Sequence, residues 1–110
     1  MPKFQSFELD DLSTADTGAG PYREILRRPG FSIGVYRLPV GGEDHQHPHE
    51  ADEVYIVQSG RAVLRVDGED RPVGPGSVVS VDRGVEHGFT QITEPLSILV
   101  MFAPPEVPEA

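Results

Sequence analysis

Glycine and proline recur so often along this chain that a long helix has nowhere to run. Twelve glycines and eleven prolines are spread through 110 residues, and each costs roughly 1 to 3 kcal/mol in a helix interior. They act as turn punctuation. Between them lie short runs of alternating or β-branched residues at 31–38, 53–58, 61–66, 77–81, 88–93 and 96–102, the pattern of half-buried strands. Ser59-Gly60, Asp67-Gly68 and Gly74-Pro75-Gly76 supply the residue types that tight reversals between antiparallel strands need. The spacing therefore predicts an all-β single domain of six strands. No stretch of ten or more residues carries a helical period, so the acidic segment 8–20 reads as a loop. The proline-rich tail 104–108 lacks the donors to extend a central strand.

The length suits one domain with a core of its own. Nine basic against eighteen acidic residues, a formal net charge of −9, set a field that repels phosphate backbones and anionic lipid. Neither nucleic acid nor a membrane surface is an expected partner. No apolar run of signal-peptide length opens the chain, and the longest one, 98–103, is too short to span a bilayer; a cytoplasmic location is the expectation. The absence of cysteine removes disulfides, thiolate zinc sites and cysteine nucleophiles. Any metal must be held by His, Asp and Glu.

Three of the four histidines fall in GGEDHQHPHEADEVYIVQSG, residues 41–60. If this segment is extended, His45, His47 and His49 share one face. Two imidazoles at i and i+2 can then take neighbouring positions on one ion, with Glu53 as the leading carboxylate for a third. The same residues also fit an exposed, solvated loop after Gly41-Gly42, and the tract alone does not decide between the two.

The spacing resembles the first motif of the cupin superfamily, which runs glycine, five residues, His, one residue, His, three or four residues, Glu, six residues, glycine. Gly41, His47, His49, Glu53 and Gly60 occupy its fixed positions. The second motif has its counterpart in GSVVSVDRGVEHGFTQ, residues 76–91, where Gly76, Gly84 and His87 match. Asp82 stands where proline is usual and can still start a tight turn through its side chain. Gln91 stands where asparagine is usual, and its extra methylene puts the hydrogen bond of that position in doubt. The resemblance implies a double-stranded β-helix, a jelly-roll barrel, over 22–103, preceded by an arm at 1–21 and followed by a tail at 104–110. It makes His47, His49, Glu53 and His87 the metal ligands inside the barrel mouth. A competing register through His45 and His47, with Asp52 as the carboxylate, lacks the glycine six residues before its first histidine.

Three imidazoles and one carboxylate suit divalent Fe, Mn, Ni, Co or Zn. A six-coordinate ion would keep two positions open, whereas tetrahedral zinc on all four would keep none. By strand alternation Tyr55 and Val57 share the face of Glu53, and Phe89 and Gln91 that of His87; with Tyr36 and Met101 they form the expected substrate pocket. Tyr55 either donates to a ligand carboxylate or a substrate, or fills the barrel with its hydroxyl satisfied by backbone. His45 is expected as a bystander, and Glu43, Asp44, Glu50 and Asp52 as a solvated rim. Glu86 should face outward, and Arg37, Arg61 and Arg65, the nearby basic candidates for holding an anionic substrate, are expected instead as surface charges on strands.

What the resemblance implies for function is a small metal-dependent enzyme with dioxygenase-like activity on a small enolisable or phenolic compound, followed by isomerase, cyclase or lyase chemistry. A non-catalytic module that holds a metal or a small molecule, and a purely structural metal, are the other readings of the same ligands. The resemblance also implies a homodimer, for which the exposed edges of a small β fold supply a physical reason.

Overall fold

The computed structural model describes residues 3–14, 21–42, 44 and 50–105. In chain order its elements are α1 (Leu9–Thr14), β1 (Tyr22–Arg28), β2 (Phe31–Leu38), β3 (Asp52–Val66), β4 (Glu69–Val73), β5 (Val78–Val81) and β6 (His87–Ala103). The all-β jelly-roll expectation holds, but the six strands are not the six read from the sequence. Runs 53–58 and 61–66 form one strand, β3, and runs 88–93 and 96–102 form another, β6, while β1 and β4 are additional. Part of the segment expected as a loop is the one-and-a-half-turn helix α1, too short to show a period and carrying Asp10 and Asp11 in its first turn, where they complement the helix dipole.

Ser59-Gly60 is thus a bend within a strand and not a reversal. Gly60 has φ +92°, and a Cβ there would lie 2.1 Å from the Pro95 carbonyl oxygen. Only glycine combines that conformation with so close an approach, and it lets β3 bulge against β6 without parting from it. The register slips between Val57 and Ser59, between Ser59 and Arg61, and between Arg61 and Val63. Each slip adds bend and twist to the pair.

All pairings are antiparallel, in the order β1-β2-β6-β3-β4, with β5 also on β3. The first part of β3 lies between β5 and β6, and its last part between β4 and β6. One bent strand therefore serves two parts of the sheet. Asp67 and Gly68, both at positive φ (+49° and +80°), make the two-residue turn from β3 to β4, as the right-handed twist of a hairpin favours. Pro72 is tolerated in β4 because that strand pairs on one side only.

The inward faces bury Tyr55, Val57, Leu64, Ile98 and Val100 almost completely, each contributing roughly 1.5 to 3 kcal/mol of burial. Ile56, Val78 and Met101 remain exposed on the opposite side. No helix among the described residues is long and apolar enough to cross a membrane.

Candidate metal centre

Alternation along β3 sends Glu53 and Tyr55 to the same side, into the barrel, and both are only 1 % exposed. His87 opens β6 and pairs with Val66, at the far end of β3. Even so, its Nε2 lies 3.1 Å from Glu53 Oε2, because the bend at Gly60 carries the two ends of β3 toward each other. The Tyr55 hydroxyl donates to Glu53 Oε2 and lies 2.9 Å from His87 Nε2. On the other side of the imidazole, Nδ1 is 2.8 Å from the Val85 carbonyl oxygen, to which its N–H donates. That bond orients the ring and turns Nε2 toward the carboxylate. The Tyr55 ring packs edge-on against Phe89 with centroids 5.1 Å apart.

Burial works against a charged His87, but the Glu53 hydrogen bond, the Val85 carbonyl and the charges of Glu53 and Asp44 outweigh it, and the imidazole pKa is raised above its ordinary value. When Nε2 is protonated the pair is a buried ion pair. Once that proton leaves, an oriented nitrogen lone pair on β6 lies beside a carboxylate oxygen on β3. Imidazole and carboxylate are donor types that suit a divalent transition ion, but among the described residues no group of three or more His, Asp or Glu side chains is gathered to hold one. His45, His47 and His49 lie outside the described residues, as does Glu43.

Of the expected pocket residues, Tyr55, Val57 and Phe89 are buried inside the barrel. Tyr36 is half-buried beside them, paired with Ile98. Gln91 and Met101 are corrected: both are exposed. Gln91 adopts φ +49° where β6 slips against β3, so alternation breaks after Phe89 and Ile92 takes the inward place, 3 % exposed. Met101 sits between inward-facing Val100 and Phe102 and is 37 % exposed on the outer face. Arg61 and Arg65 are surface residues paired with Glu94 at 3.2 Å and Asp70 at 2.7 Å, and Glu86 is exposed.

The rim splits. Glu50 is exposed, and Asp52 is exposed too, accepting from the Arg83 backbone N–H at 2.9 Å and from its guanidinium at 3.3 Å. Asp52 therefore lies on the face of β3 opposite Glu53. Asp44, expected in the same solvated rim, is instead half-buried. Its Oδ1 accepts from the Tyr36 hydroxyl and its Oδ2 from the Phe89 backbone N–H at 2.9 Å. Burial, reinforced by the hydrogen bond and charge of Asp44, pushes the Tyr36 hydroxyl pKa far above the usual phenol range. Nothing in the sequence separates Asp44 from Glu43 or Glu50.

A bent antiparallel barrel with polar side chains gathered from β3 and β6 defines a jelly-roll protein with an interior site. Residues 34–102 match the sequence profile of the Cupin domain family, and the chain belongs to that family. It is 47 % identical over 104 residues to an uncharacterized protein of Streptomyces coelicolor, covering 93 % of this chain and 98 % of that relative. L-ectoine synthase of Bordetella petrii is 25 % identical over 87 residues, which are 76 % of this chain and 65 % of that enzyme. Among solved structures, a protein of Bacillus halodurans superposes with a TM-score of 0.81 at 18 % identity, covering 99 % of this chain and 87 % of that one, a likeness of fold.

Proposed function

We propose that this protein is a metal-dependent enzyme that acts on a small organic compound by proton transfer at the barrel mouth. The observation that carries this reading is the Tyr55 hydroxyl, buried and within hydrogen-bonding reach of both Glu53 Oε2 and His87 Nε2. His47, His49, Glu53 and His87 would hold the ion, and the donor set admits Fe, Mn, Ni, Co or Zn. When bound, the ion would act as a Lewis acid that polarises a substrate oxygen. The remaining work falls to the chain. Val85 holds the His87 ring in place through Nδ1. Tyr55 gives a proton to, or takes one from, the polarised substrate, with Glu53 Oε2 as the neighbouring acceptor. The hydroxyl belongs to a side chain only 1 % exposed, packed edge-on against Phe89, and low exposure to water strengthens its electrostatic interactions. The identity to L-ectoine synthase supports an enzyme over a binding module. Dioxygenase-like chemistry is the second reading, favoured by an imidazole-rich donor set that suits Fe(II).

Elemental analysis of protein purified without added metal tests the site first. Stoichiometric metal is expected, lost in His47→Ala and His87→Ala and kept in His45→Ala; equal losses from all three would overturn the ligand assignment. Tyr55→Phe then tests the chemistry. It is expected to keep the metal but lose solvent-deuterium exchange into a panel of small enolisable and phenolic compounds followed by NMR. Undiminished exchange in Tyr55→Phe would refute proton transfer through this hydroxyl, and oxygen consumption with Fe(II) would favour the second reading.

A further inference from the structure

We infer that Asp44 is a positioning residue, a latch that ties the start of the histidine-bearing segment to β2 and β6 and so sets where that segment can deliver its donors. This rests on the reading above that His47 and His49 bind the metal.

Three observations carry it. First, Asp44 uses its two carboxylate oxygens on two different strands: Oδ1 on the Tyr36 hydroxyl of β2 and Oδ2 on the Phe89 N–H of β6, at 2.9 Å. Phe89 is two residues beyond His87 on the same inward face, so the anchor point is one pleat from a proposed ligand. Second, the backbone of β6 makes room for it. A Cβ at Gly88 would lie 3.0 Å from the Asp44 carbonyl oxygen, tighter than a side chain there would ordinarily allow. Third, the segment is pinned on both sides of the histidines. The Gly41 N–H donates to the Ile92 carbonyl at 3.0 Å before Asp44, and after the histidines Ala51 is buried, 6 % exposed, as the chain enters β3.

An aspartate suits this place in particular. Both of its partners are donors, and a carboxylate accepts from both at once through charge-assisted bonds, stronger than those of a neutral acceptor. Asparagine keeps the shape and one acceptor, and alanine keeps neither.

The test uses the full chain with Co(II) as the probe. Affinity is read by titration calorimetry, geometry by the visible Co(II) spectrum, and positioning by hydrogen–deuterium exchange of peptides covering 41–51 in the metal-free protein. Asp44→Ala is expected to weaken Co(II) binding at least about tenfold, to alter the spectrum, and to speed exchange in 41–51 while β3 and β6 stay protected. Tyr36→Phe should move the same readouts less, with Asp44→Asn intermediate, and Asp52→Asn, which removes an exposed carboxylate on the other side of β3, should move none. Unchanged affinity, spectrum and exchange in Asp44→Ala would overturn the latch, as would exchange accelerated throughout the sheet, the mark of a general loss of stability. If the wild-type chain takes up no Co(II), the functional reading fails by itself. Exchange then decides the latch alone: acceleration confined to 41–51 upholds it, and none refutes it.

Discussion

Asp52 and Glu53 are neighbours on β3, and the pleat sends them to opposite sides of the sheet. Asp52 is exposed and paired with Arg83 at 3.3 Å; Glu53 is 1 % exposed and bonded to Tyr55 and His87. The Arg83 hydrogen bonds hold the Asp52 carboxyl below the usual carboxylate range, yet water can replace that partner at little cost and salt screens the pair. Glu53 is shut off from bulk solvent, so a lost partner leaves a buried group uncompensated. Two carboxylates one position apart thus differ in consequence because of which face they occupy.

The hardest way to break that contrast is Glu53→Ala. It should destabilise the metal-free protein by about 3 to 5 kcal/mol in urea unfolding, lower the His87 pKa by NMR, and end metal uptake. A loss no greater than that of Asp52→Asn would erase the distinction. Gly60→Ala attacks the bend that brings Glu53 to His87. With φ +92° and a backbone oxygen 2.1 Å from the new Cβ, it should cost about 2 to 3 kcal/mol and weaken metal binding although it touches no donor, measured by the same unfolding series and by titration.

Acidity sharpens the comparison further. The folded pKa of His87 is raised above its ordinary 6.5, so its stabilisation of the metal-free protein is full below that value and is lost as pH rises through the folded pKa. Melting temperature without metal should therefore fall as pH rises above neutrality, and His87→Gln should flatten that limb. Metal affinity should run the other way, rising with pH, since proton and cation compete for Nε2. Asp52 behaves oppositely: its folded pKa is lowered from 3.8, so its contribution is present above that value and is lost in acid. Asp52→Asn, the smallest effect, should alter only the acid limb of the melting curve and leave metal uptake unchanged.

Legibility followed locality. The run 31–38 coincides with β2 and Asp67-Gly68 is the expected hairpin turn, because both signals are contained within a few residues. β4 is the return arm of the hairpin that Asp67-Gly68 and the short spacer between the two motifs imply, although EDRPV carries no apolar alternation; β1 gives no such signal because YREILRR presents mostly charged side chains, as strands with a solvated face do. Gly60 and Pro95 look like turn markers, and only their contact with each other shows that they shape a continuous ladder. At the site, the resemblance to the cupin motifs singles out Glu53 and His87 as ligands of one ion but says nothing of their direct contact, whereas alternation along the strands places Gln91 and Met101 inward and a bulge and an unanchored register do not respect it. Asp44 offered no signal, since its two donors come from residues 8 and 45 positions away.

By itself the sequence determined that this chain would be an all-β barrel with a histidine- and acid-rich first motif, because turn chemistry and side-chain alternation act over neighbouring residues. The tertiary structure alone decided that Glu53 meets His87 across 34 positions and that Asp44 reaches β6. Those meetings depend on how far two long strands slip and bend against each other at Gly60 and Gln91, and the closing of a barrel, not any local preference, sets that slip.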